Sequence, residues 1–252
     1  RGPGNGCKVS ERGAQAFAGD RAVARLTPGE DAVTFIELRG SAAVTGGGGA
    51  ALDAMSARDI DLDYTDDGAT LESVRLAGDA TVALAGEADA PGRRISGDTL
   101  DLALDPEGSV TAAIGRGGVQ LDLPASGGMS ARVVRARALD AEGEPGRGLT
   151  QARFTGDVAY REDLERGAAP RVVTSRALRV SMDGNAITFA VFTGGVTFDD
   201  QGLRASGAEA RYEPAAGTLR LTGVDAGGPP RVADGQVSIE AGTRIDITLA
   251  DR

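Results

Sequence analysis

Histidine and tryptophan are absent from this chain of 252 residues, and lysine and cysteine each occur once, at Lys8 and Cys7. Without histidine there is no imidazole to activate a nucleophile or ligate a metal. Serines such as Ser130, Ser175 and Ser206 therefore have no partner of the hydrolase kind. A single cysteine excludes an intramolecular disulfide and a cysteine-based metal site. Aromatic residues make up only 4% of the chain, so a core must be built mostly from Val, Leu, Ile and Ala. Sugar-cleaving carboxylate pairs normally work beside aromatic platforms, and there are few aromatics here to supply one. No apolar run approaches the roughly 20 residues that a membrane-spanning helix needs.

Positive charge is also in short supply. The net charge of −10 argues against nucleic acid, which needs a basic face, and against a polybasic grip on anionic membrane. The segment RGPGNG before Cys7 is not the apolar export segment that a lipid-anchored cysteine requires. The chain opens on Arg1 and not on Met, so it is expected to be a processed product or a segment of something longer.

Two acidic or glycine-rich stretches invite a ligand reading and fail it. Asp59, Asp61 and Asp63, followed by Asp66-Asp67-Gly68, are rich enough in carboxylates for calcium. A calcium loop of the helix-loop-helix type, however, needs Gly at its sixth position and Glu at its twelfth, where this chain has Tyr64 and Thr70. On a strand, the three aspartates would also stand about 7 Å apart on one face, too spread for a single ion. Gly46-Gly47-Gly48-Gly49 lacks the Gly-Lys-Ser/Thr of a phosphate loop and reads as a flexible connection. The expectation is a protein without catalytic activity, metal or cofactor.

What the chain has is glycine, 38 residues of it, and a period. Gly40, Gly78, Gly117, Gly156 and Gly194 precede Val44, Val82, Val119, Val158 and Val196, at intervals of 38 or 39 residues. Each period begins with an alternating strand, as in Ile60–Tyr64, Leu100–Leu104 and Leu178–Met182. A turn follows at Thr65–Gly68, Asp105–Gly108 or Asp183–Asn185, where Gly, Asn and Pro supply hairpin geometry. A second strand follows, such as Ile187 to Phe192. The marker glycine then interrupts it as a bulge or sharp bend, and a short third run leaves. Residues 203 to 223 repeat the theme as strand, turn, strand, broken at Glu213–Gly217. No long stretch carries helical periodicity unbroken by Gly or Pro.

Alternation also predicts which way side chains face. Ile60, Leu62 and Tyr64 point one way and Asp59, Asp61 and Asp63 the other. Val237, Ile239 and Ala241 oppose Ser238 and Glu240, and Ile245, Ile247 and Leu249 oppose Asp246 and Thr248. An antiparallel all-β protein with one apolar and one acidic, solvated face follows, and its apolar face must be covered by a second sheet or by folding over.

Three segments carry a family resemblance. They are Ala208–Tyr212 with Gly217–Gly223, the run GRRISGDTLDLALDPEGSVTAAIGRGGVQL at 92–121, and PPRVADGQVSIEAGTRIDITL at 229–249. They resemble the OstA-like repeat of the lipopolysaccharide-transport (Lpt) proteins, and the likeness touches most of the chain. It implies a β-jellyroll of OstA/Lpt type: two facing antiparallel sheets, elongated, twisted and open along one side, with residues 16–252 as one domain and 1–15 as a tail or leading strand. It further implies a periplasmic protein, of a kind that can be tethered to the inner membrane through a segment outside this chain. Such a protein carries lipopolysaccharide or a similar glycolipid and joins other Lpt-type jellyrolls, or further copies of itself head to tail, through edge strands. At about six or seven periods, this chain is longer than short family members and is expected to be an enlarged bridge segment.

The residues expected to line the acyl-chain groove are Leu62, Tyr64, Leu102, Leu104, Phe154, Val180, Met182, Phe189, Val196, Phe198, Tyr212, Leu221, Ile239 and Ile247, with Ala80, Ala208 and Ala210 leaving width. The edges available for strand addition are Arg21–Leu26 and Ile245–Leu249. The alternative is a structural or adhesive β-repeat scaffold with a closed, dry core and no lipid.

Overall fold

The computed structural model describes residues 8–9, 15–46, 52–86, 92–126, 130–164, 168–183, 186–223, 228–240 and 242–249. The glycine run at 47–49, the turn glycine and asparagine at 184–185, Ala241 and Cys7 lie outside them.

The chain folds as antiparallel β-strands. In order they are β1 (Lys8–Val9), β2 (Gln15–Ala18), β3 (Arg21–Leu26), β4 (Val33–Thr45), β5 (Leu52–Tyr64), β6 (Leu71–Leu84), β7 (Arg94–Leu104), β8 (Val110–Leu123), β9 (Arg132–Glu144), β10 (Gly148–Glu162), β11 (Arg171–Asp183), β12 (Ala186–Asp200), β13 (Leu203–Glu213), β14 (Thr218–Thr222), β15 (Arg231–Ala233), β16 (Ser238–Glu240) and β17 (Arg244–Thr248). The one helical element among the described residues is a single 3₁₀ turn at Pro214–Ala216, which carries the chain from β13 to β14. The fold is all-β, antiparallel and jellyroll-like, and the strand-turn-strand period of the sequence is its structural unit.

Two compact units can be distinguished: Arg1–Leu121 with Glu142–Leu149, and Asp122–Ala141 with Thr150–Arg252. In the first, β4, β5, β6 and β7 pair in chain order, with β2 and β3 both on the outer side of β4. In the second, β10, β11, β12 and β13 pair in chain order, β13 then pairs with both β14 and β15, and β17 and β16 flank these. The two segments expected as edges are strands: β3 pairs with β4 and β17 with β14.

The marker glycine is a bend inside one long strand, so the second and third runs of each period are continuous. Arg39 opposes Asp59 while Ala42 opposes Ala57, so β4 holds one extra residue. The same insertion recurs in β6, β10 and β12, between Ala77 and Ala80, Thr155 and Val158, and Thr193 and Val196. At each bend two consecutive residues have left-handed φ, as in Gly194 (88°) and Gly195 (79°). The second of the pair is Ser41, Asp79, Gly118, Asp157 or Gly195, but the first is always glycine. Geometry explains the asymmetry. A Cβ on the first residue would fall 2.7 Å from Arg176 Cβ at Gly194, and 2.9 Å from the Cβ of Asp20, Arg58 or Arg137 at Gly40, Gly78 and Gly156. At Gly118 and Gly195 it would meet nothing within 4 Å.

In the second unit these bends fold the strands back on themselves. Asp200 opposes Leu203 at one end of the β12–β13 pair, and Tyr212 lies nine residues further along β13, about 30 Å in a straight strand. The Tyr212 hydroxyl is nevertheless 3.2 Å from Arg171, whose neighbour Val172 opposes Asp199. Tyr160 likewise meets the rings of Phe192 and Tyr212 edge-on, at centroid distances of 5.7 and 6.4 Å. The two halves of each bent strand therefore face one another across an apolar interior that includes Phe154, Leu178, Leu219 and Leu221, each at most 1% exposed. Burial of each such side chain contributes about 1.5–3 kcal/mol.

Outward positions carry the charge. Arg39 bonds Asp61 at 2.6 Å across the β4–β5 pair, and Arg75 bonds Asp101 at 2.9 Å across β6–β7. Asp59 accepts from Arg58, and Asp63 from the Ser73 hydroxyl, so the three aspartates of β5 have separate protein partners.

Candidate functional site

Of the residues expected to line an acyl-chain groove, most are buried side chains of the fold. Leu62, Leu102, Phe154, Val180, Met182, Val196, Phe198, Tyr212 and Leu221 are all buried, none more than 8% exposed. Tyr64 and Leu104, at the ends of β5 and β7, are half-buried, and Ile247 is half-buried opposite the buried Leu219. Burial raises the Tyr64 phenol above its ordinary pKa. Ala80 and Ala210 are 1% and 0% exposed, closely packed; Ala208 is half-buried.

Two residues sit elsewhere. Phe189 lies on the outer face, because β12 slips by one residue between the Ser181–Phe189 and Met182–Ile187 pairs. The buried residues of this strand run Ile187, Ala190, Phe192, and Phe189 instead carries the Arg211 guanidinium 4.4 Å from its ring centre. Ile239 is 54% exposed, on a three-residue strand whose described partner is β15 alone, and Val237 beside it is 57% exposed. Ser175 Oγ donates to the Ala177 carbonyl at 2.9 Å. An open polar depression is lined by Thr65, Asp66, Asp67, Thr70 and Glu72. Among the described residues no three His, Cys, Asp or Glu side chains are grouped to hold a metal ion.

The feature that pattern reading passes over is a row of buried charges in the second unit. Arg132 opens β9, Glu162 closes β10, Arg171 opens β11 and Asp200 closes β12, so all four share one margin of the sheet. Each continues its strand's inward alternation one step beyond the apolar residues: Ala136-Val134-Arg132, Val158-Tyr160-Glu162, Ser175-Val173-Arg171 and Val196-Phe198-Asp200. The order is plus, minus, plus, minus on successive strands, and each member is at most 8% exposed. Arg132 Nε is 3.3 Å from Glu162 Oε1, Arg171 Nη1 is 2.9 Å from Glu162 Oε2, and Arg171 Nη2 is 3.1 Å from Asp200 Oδ2. Charges taken this far out of water hold only when paired and hydrogen-bonded.

No protein-family model, curated protein or solved structure matches this chain.

Tyr212 completes the row from the opposite margin. It is the residue before the last of β13, next to the Pro214–Ala216 turn, and its hydroxyl donates to Glu162 Oε2 at 3.2 Å and accepts from Arg171 Nη1. Burial, reinforced by the Glu162 charge, pushes its pKa up to about 12. Burial and the same carboxylate hold Tyr160 well above the ordinary phenol value. Both phenols are thus neutral at physiological pH. One atom stands out of the row: Asp200 Oδ1 is buried without a hydrogen-bond partner. No helix among the described residues is long and apolar enough to cross a membrane.

Proposed function

We propose that the chain binds the acyl chains of lipopolysaccharide, or a similar glycolipid, between the folded halves of its strands and passes them along, as a periplasmic bridge segment of the OstA-like transport type. The observation that carries this reading is the interior itself. In the second unit apolar side chains meet between two facing half-sheets, and among the described residues the margins opposite the bends are joined by side-chain contacts. A hydrocarbon tail entering there gains about 0.8 kcal/mol per buried methylene. Repetition with a period of 38 or 39 residues makes successive positions nearly equivalent in free energy, so a tail held at one moves to the next without a deep trap. The acidic outer face repels anionic head groups and leaves them in water. The mechanism is transfer without catalysis, and further jellyroll proteins or copies would join through β3 and β17.

A closed structural scaffold is the second reading, favoured by the ring contacts of Tyr160 with Phe192 and Tyr212 and by near-complete burial of the interior. Photo-crosslinking in cells separates the two. A benzophenone amino acid at Phe192 or Leu102, both inward, is expected to yield a lipopolysaccharide adduct, whereas Arg179 or Glu72, both outward, is not. Adducts at the outward positions alone, or at none, overturn the conduit and leave the scaffold.

A further inference from the structure

We propose that Arg132, Glu162, Arg171, Asp200 and Tyr212 form a polar latch that closes the free margins of the second unit's folded sheet, with Tyr212 as the part that releases. The topology sets this up. The bends at Gly156 and Gly194 form the closed side of the fold. The opposite side is where strand ends meet, and there the four charges come from one margin and Tyr212 from the other. Lateral bonds between Arg132, Glu162, Arg171 and Asp200 tie neighbouring strands of one margin together. The two bonds of the Tyr212 hydroxyl, to Glu162 and Arg171, instead run from margin to margin. Parting the halves breaks those two and leaves the charge row intact, still neutral in sum and still paired.

Two further features suit a latch better than a permanent seam. Asp200 Oδ1 has no donor in the closed arrangement, and an unsatisfied buried carboxylate oxygen disfavours that state relative to one that water reaches. The Tyr212 ring is held by edge contact with Tyr160 and by the Arg171 guanidinium 6.0 Å from its centre. It can swing away without tearing a backbone ladder. The latch stands whether or not the interior carries lipid. If it does, the latch is the gate that an acyl chain must pass sideways.

The test measures opening without any ligand. In a Cys7→Ser background, single cysteines replace Ala190, which opposes Tyr212 and is 1% exposed, or Val196, beside the Gly194 bend and 1% exposed. Maleimide labelling is followed with Tyr212 present and in Tyr212→Phe. Phenylalanine keeps the ring and removes only the bridging hydroxyl. The expected result is labelling at position 190 accelerated about tenfold, in keeping with the loss of a hydrogen bond to a charged group, and unchanged labelling at 196. Equal acceleration at both positions means general loosening, and no acceleration at 190 means that the hydroxyl closes nothing; either overturns the latch. Because lipid is absent, failure here is distinct from a failed crosslink.

Discussion

The paired bend residues allow a sharp test of what bends the strands. Consider Gly194→Ala against Gly195→Asp. At Gly194, φ is 88° and the new Cβ would stand 2.7 Å from Arg176 Cβ on the neighbouring strand. Left-handed backbone in an L-residue costs roughly 1–2 kcal/mol. The clash adds about 1–3 kcal/mol, because a Cβ cannot rotate aside as a side-chain tip can. Reduced freedom of the unfolded chain returns about 0.4–1 kcal/mol. The net is a destabilisation of about 1–4.6 kcal/mol, near 3 at the middle of the range. At Gly195 a Cβ meets nothing within 4 Å, and the corresponding position already holds Asp79 and Asp157 at φ of 53° and 49°. Aspartate tolerates that conformation, so Gly195→Asp should stay within about 1 kcal/mol of the parent. Urea unfolding followed by far-UV circular dichroism reads both. At about 2 kcal/mol per molar, the Gly194 variant should lose roughly 1 M or more of midpoint and the Gly195 variant little. Equal losses, or a larger loss at Gly195, would refute the claim that cross-strand crowding reserves the first position for glycine.

Arg171→Met leaves Glu162 and Asp200 buried without their shared cation and should destabilise the second unit by about 3–5 kcal/mol in the same assay. Arg75→Ala, on the exposed outer face, should change stability by about 1 kcal/mol at most. Each of the three tyrosines is raised above the ordinary phenol pKa. Absorbance at 295 nm should therefore show less than half ionisation at pH 10 in the folded state, and half or more there contradicts the burial. Because the folded Tyr212 pKa is raised to about 12, its contribution to stability is complete below pH 10 and is lost as pH rises through 12. Tyr212→Phe should remove its share of the alkaline loss over that window, leaving the shares of Tyr64 and Tyr160. The Gly146 amide, with help from the Ser109 amide, holds the Asp105 carboxyl below its ordinary pKa. Its stabilisation should be present above pH 4 and fade on acidification, and Asp105→Ala should remove that part of the acid dependence.

The period was legible because it is written in residue types that the backbone demands. A glycine must stand where two strands crowd, and Asp105-Pro106-Glu107-Gly108 can only turn. Facing was legible wherever alternation ran unbroken, as from Ile60 to Asp63 in β5. It failed at Phe189, because a one-residue slip in β12 inverts every side chain beyond it, and no residue type announces the slip. It failed at Ile239 because alternation says which residues share a face but not whether anything covers that face. The charge row was half-written: Glu162 and Asp200 hold inward parity, yet burial of a charge depends on partners from other strands. Which arginine reaches which carboxylate is decided only when bent strands bring their ends together.

The bends also constrain how such a chain can change length. Gly78, Gly156 and Gly194 each crowd an arginine of the preceding strand, so within each unit cross-strand contact holds the spacing of the bends. Losing one residue between two bends would turn an apolar stripe to water and a charged stripe inward, whereas losing a whole period of 38 or 39 residues removes one matched pair of strands and leaves every remaining side chain facing as before. Sheets of this construction should therefore differ among themselves in whole periods and seldom in fractions of one.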